Sequence, residues 1–181
     1  RRIARRRRRP AREHLGCRVD ARCVADMTPV APAWQQARAT EYAAVFGYGV
    51  LGPRLDSAAS VTLARAGEQA HRELSERTAG DLSAAGHVPV APAADYPLPY
   101  PVADDLSAKH FAIRLESGCA SAWRYLISVA ATGAGGSPDA DRLRMLHAVA
   151  QSALTASAVR AMRWRQLIDP AKATVPFPGI S

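Results

Sequence analysis

From Ala33 onward, apolar positions recur along the chain at steps of three and four. Trp34, Ala37, Ala44 or Val45 and Tyr48 form the first such stripe, with Glu41 set into it, and Gly52-Pro53 punctuates its end. This spacing predicts a helix. Asp56 or Ser57 suits the N-cap of a second helix reaching about residue 85, with Ala64, Gly67, His71, Leu74, Thr78 and Leu82 on one face and Gly86 as its stop. A third helix starts at Asp104 or Asp105 and carries Ala108, Ala112, Leu115, Cys119, Ala122, Leu126 and Val129 on its stripe. Ser137 and Pro138 suit the cap and first position of a fourth helix, which runs to about Leu167 and is stopped by Asp169-Pro170. The tail AKATVPFPGIS is too broken by proline and glycine to be helical.

Loop lengths turn four helices into a topology. Short first and third connections make helices 1 and 2, and helices 3 and 4, antiparallel neighbours. The second connection, HVPVAPAADYPLPYPVAD, carries five prolines and must be extended. At ~3.1 Å per residue it reaches about 50 Å, while a helix of ~27 residues is about 40 Å long. It can therefore cross the full bundle and start helix 3 at the opposite end. The expected fold is all-α: a ferritin-like four-helix bundle with one long Pro-rich crossover between helices 2 and 3. The expected organisation is a disordered leader (1–30), a bundle (31–170) and an extended tail (171–181).

Charge changes the picture only at one end. The net charge is +8, but residues 1–26 hold ten arginines against Glu13, Asp20 and Asp26. Their balance of +7 leaves the remainder at +1. Three readings of the leader compete: residues that are not native coding sequence, a basic arm for nucleic acid, and a targeting segment. The first is favoured, because Met27 is the first methionine and no apolar core follows the arginines. Nucleic acid is thus a partner only if the leader is expressed. Cysteines number three, with no C-x-x-C, which points to a reducing cytoplasm. No apolar run approaches the ~20 residues of a membrane span.

The segments EYAAVFGYGVLGPRL (41–55), AHREL (70–74), DYPLPYPVAD (95–104) and LESGCASAWRYL (115–126) resemble an uncharacterised ferritin-like domain family of actinobacteria. The resemblance covers about residues 33–179. It implies a ferritin-like bundle and no established reaction. The broader ferritin-like di-iron pattern asks for a Glu from each of two helices and Glu-x-x-His from each of the other two. Glu41, Glu68-x-x-His71, Glu116 and His147 match it. Arg144 stands where the sixth ligand belongs, and a cation there repels a metal.

Glu41 and Glu116 lie among apolar neighbours, where a lone carboxylate is costly unless paired or metal-bound. His71 continues the stripe of Gly67 and Leu74. By contrast, Arg65 and Arg72 flank Glu68 at helical spacing, so a surface ion pair explains it. For His147, core packing is the default. Counting residues from the helix ends puts Glu41, His71 and Glu116 within ~5 Å of one height, so a shared polar core is expected. Two functions follow. The first is a bundle without a complete di-iron site, acting in binding or scaffolding, its core neutralised by Arg144 or protonated His71. The alternative binds iron or manganese at Glu41, Glu68, His71, Glu116 and His147 for redox chemistry. No phosphate loop or G-x-S-x-G motif adds another chemistry. Enzymatic activity and oligomeric state are left open, a homo-oligomer included.

Overall fold

The computed structural model describes residues 30–133 and 140–180. Among them are four α-helices and no strand. They are α1 (Val30–Leu51), α2 (Ala58–Ala84), α3 (Asp105–Gly133) and α4 (Ala140–Gln166). The leader and the Ser137-Pro138 cap lie outside the described residues.

Local chemistry sets the helix ends. Pro53 cannot continue α1, and residues Gly52–Arg54 tighten into a 3-10 turn. Ser57 caps α2 by accepting from the Ser60 N–H at 3.0 Å. Gly86 follows α2 at φ 83°, the left-handed value that glycine adopts without cost. Asp104 Oδ1 accepts from the Ser107 N–H at 2.7 Å, while Ser107 Oγ accepts from the Asp104 N–H at 3.0 Å. The tail departs from expectation at its start: Pro170–Lys172 form one 3-10 turn capped by Asp169. A proline suits that first position, where no N–H is needed. Farther on, Ser121 Oγ donates to the Gly179 carbonyl, tying the tail to α3.

Side-chain contacts fix the helix directions. Descending α1 from Tyr48 through Glu41 to Arg38 meets Gly67, His71 and Ser75 of α2 in ascending order. Tyr48 and Glu41 also meet Glu116 and Trp123 of α3. α1 is therefore antiparallel to both. Residues 87–103 hold no helix or strand. Gln35 binds both the Val88 carbonyl and the Val90 N–H, buried Arg38 donates to the Val90 carbonyl, and Phe46 packs on Tyr96 at 5.3 Å between rings. This segment thus lies along α1 in the same direction as that helix.

Two apolar clusters fill the interior. Trp34, Leu82, Trp123, Leu126 and Leu143 anchor one, while Leu51, Leu55, Phe111 and Trp164 anchor the other. Glu41, His71 and Glu116 are fully buried with them. No helix among the described residues is long and apolar enough to cross a membrane.

Candidate functional site

Three helices each deliver one ionisable side chain from the apolar stripe. Glu41 of α1, His71 of α2 and Glu116 of α3 have no solvent exposure, so each must be satisfied internally. His71 is the bridge. Its Nδ1 lies 2.5 Å from Glu41 Oε2, and its Nε2 lies 3.1 Å from Glu116 Oε1. The Trp123 indole donates to Glu41 Oε1 at 2.6 Å. The Tyr48 hydroxyl donates to Glu116 Oε1 at 2.6 Å and accepts from the Trp164 indole at 3.0 Å. Arg160 of α4 completes the set, with Nε donating to Glu116 Oε1 at 2.8 Å. Glu116 Oε2 is buried and without a partner.

One glycine makes room for this arrangement. A Cβ on Gly67 would sit 2.7 Å from Tyr48 Cζ and 2.8 Å from its hydroxyl. The aromatic ring reaches Glu116 because α2 has no side chain at that point.

Electrostatics favours a charged but balanced network. Burial works against an imidazolium at His71, yet its neighbours Cys119, Glu116 and Glu41 outweigh it and push its pKa up. The Cys119 thiol is itself pushed up to about 12, by burial first and then by Glu41. At neutral pH it is therefore uncharged, and the two carboxylates hold the proton on His71. Burial also opposes ionisation of Glu116, but His71 and Arg160 overcome it and keep its pKa below the usual value. Tyr48 is raised well above its normal value, by burial and then by Glu116, and stays a phenol donor. Two carboxylates against His71 and Arg160 leave the cluster neutral.

The other candidates lie elsewhere. Glu68 faces outward and pairs with Arg72 at 2.5 Å. His147 is half-buried and makes none of the network's hydrogen bonds. Arg144 is exposed and pairs with Asp141 on its own helix, so it neutralises nothing in the core. That role falls to Arg160, 16 positions or about 24 Å farther along α4. Sequence reasoning missed Arg160 and the hydrogen-bonding roles of Tyr48 and Trp123. A faint signal existed: Tyr48 follows Glu41 by seven residues, as Trp123 follows Glu116, so each lies two turns along the same face.

The five residues matched to the di-iron pattern do not share one hydrogen-bonded cluster among the described residues. Glu68 is paired with Arg72 on the outer face, His147 is half-buried, and the Arg160 guanidinium lies against Glu116. What does converge is a different trio: one donor atom each from Glu41, His71 and Cys119 lie within 4.8 Å of one another.

A family profile described as a domain of unknown function, DUF4439, matches residues 33–181. The chain is also similar to the crystal structure of a conserved hypothetical protein, rv2844, from Mycobacterium tuberculosis. The two share 30% identity with a TM-score of 0.66, over 77% of this chain and 97% of that one. No curated protein matches.

Proposed function

The chain belongs to the DUF4439 family of domains of unknown function, and from that premise we propose that it is a ferritin-like bundle whose core holds an ion network in place of a di-iron centre. Its role is binding or scaffolding. The directions of α1, α2 and α3 support the ferritin-like part: α2 and α3, both antiparallel to α1, run parallel and need the extended 87–103 segment as their crossover. The observation that carries the functional part is Arg160 on Glu116. With His71 it neutralises both buried carboxylates, so the site has no excess negative charge to attract two divalent ions. The free, buried thiol of Cys119 supports a reducing, cytoplasmic setting.

The test is anaerobic titration of untagged protein with Fe(II) or Mn(II), followed by melting temperature and elemental analysis. We expect no stabilisation and less than one iron or manganese per chain. Two ions per chain with a concentration-dependent rise in melting temperature would overturn the reading.

A further inference from the structure

We infer that Glu41, His71 and Cys119 form a site for a single Zn2+ ion. This goes beyond the ferritin-like reading and does not depend on it. The three side chains supply a carboxylate oxygen, an imidazole nitrogen and a sulfur from three different helices. A thiolate in the set selects zinc over the harder iron(II) and manganese(II). All three residues are fully or almost fully buried, so the donors are held by packing on every side.

The spacing fits with small adjustment. His71 Nδ1 and Glu41 Oε2 are 2.5 Å apart. Two ligands at ~2.1 Å on a tetrahedral ion stand about 3.4 Å apart, so insertion asks for a separation of about 1 Å between side chains. The far nitrogen of His71 already faces Glu116 at 3.1 Å. A metal-bound imidazole usually passes its other N–H to such a carboxylate, which orients the ring and raises its basicity. Glu116 is in turn held by Tyr48 and Arg160.

Two further features lie beside the trio. Glu116 Oε2 is fully buried with no hydrogen-bond partner, a spare acceptor in the residue that backs the site. Cys119 also lines a cleft of about 320 Å³ between α1, α3 and the Tyr96–Pro99 stretch, with Thr40, Phe46 and Leu115 among its walls. That cleft brings open space up to the buried Cys119.

The exchange balances. Zn2+ enters, one proton leaves the His71 imidazolium and one leaves the Cys119 thiol, both to solvent. Nothing is oxidised or reduced. Two positive charges replace two, so the buried cluster keeps its net charge. The hydrogen-bonded network and the zinc site are then two protonation states of the same residues.

The test uses Co2+ as a spectroscopic stand-in for zinc. The full chain carrying Cys17→Ser and Cys23→Ser is stripped with chelator and titrated with Co2+. Cys119 is then its one remaining thiol. The expected result is a thiolate-to-cobalt charge-transfer band in the near ultraviolet that saturates at one equivalent. One equivalent of Zn2+ should abolish it. Adding Cys119→Ser should remove the band, with circular dichroism checking that the variant stays helical. Absence of the band in the two-serine protein overturns the site, whether or not the Cys119 variant folds. Survival of the band in the Cys119→Ser protein overturns it as well.

Discussion

Within four residues, α2 starts two ion pairs of equal length and unequal consequence. On its outer face Glu68 meets Arg72 at 2.5 Å, with the side chains 34% and 49% exposed. On its inner face His71 meets Glu41 at the same distance, with neither exposed at all. Water solvates the first pair well before and after it forms, so its net worth is small. The second pair has lost its water. Each member is stable only because the other, together with Glu116, Trp123 and Arg160, replaces that hydration. The lesson is that distance alone does not rank an ion pair; burial does. A buried pair is also a poor guide to net stabilisation, because well-packed apolar residues of similar volume can do as well. What it guarantees is a large penalty when one partner is removed.

The sharpest way to break this comparison is to remove one inner partner. Glu41→Ala strands the His71 charge and the Trp123 N–H, and we expect it to cost about 3–5 kcal/mol in urea unfolding. Glu41→Gln keeps an acceptor for Trp123 and should cost clearly less. If both cost under about 1 kcal/mol, the inner face is no different from the outer one. Next comes Arg160→Met, which keeps the apolar stem but removes a charge-assisted bond to Glu116. A loss of about 2 kcal/mol is expected, whereas Arg144→Met, at an exposed pair, should stay within about 0.5 kcal/mol.

The pH profile sharpens the comparison further. His71 has its pKa raised above 6.5 in the folded state, by Glu116 and Glu41 beside the neutral Cys119 thiol. Its stabilisation is therefore complete below about 6.5 and drains away as pH rises from there through the raised folded value. Glu116 acts in the opposite sense. Its folded pKa lies below its normal 4.5, so its share is present above 4.5 and is lost as pH falls through the lowered value. Melting temperature should be highest between about 4.5 and 6.5 and decline on both sides. In His71→Gln the alkaline decline should flatten; an unchanged slope would show that His71 is not the group responsible. The smallest effect belongs to the outer face: Glu68→Ala should change stability by no more than about 0.5 kcal/mol, and less still in high salt.

The stripes of α2 and α3 were legible because burial imposes a period on the sequence. Ala64, Gly67, His71, Leu74, Thr78 and Leu82 can share one side of α2 only if it is a helix. Ser57, Gly86 and Asp104 could likewise be read as helix ends, since capping is chemistry between near neighbours. A charged residue inside an apolar stripe could also be read as costly, which singled out Glu41, His71 and Glu116. Glu68 was separable from them by the arginines one turn to either side.

The partners of those residues were not legible, because spacing along one helix says nothing about rotation and height against another. Arg144 and Arg160 are both arginines on α4, and sequence supplied a motif position for the wrong one. Packing turns the side chain of Arg160 toward Glu116 and leaves Arg144 in solvent with Asp141. Cys119 gave the appearance of an ordinary buried thiol, and it became part of a donor cluster only when α1 and α2 were laid against α3. Sequence by itself determined the buried faces of the helices, the ends of α2 and the burial of Glu41, His71 and Glu116, because these follow from contacts within a few residues. Only the tertiary structure decided which charge answers which. A buried ion is satisfied across helices, by groups up to 82 residues away in the case of Trp123 and Glu41, and their approach is set by the packing of whole faces.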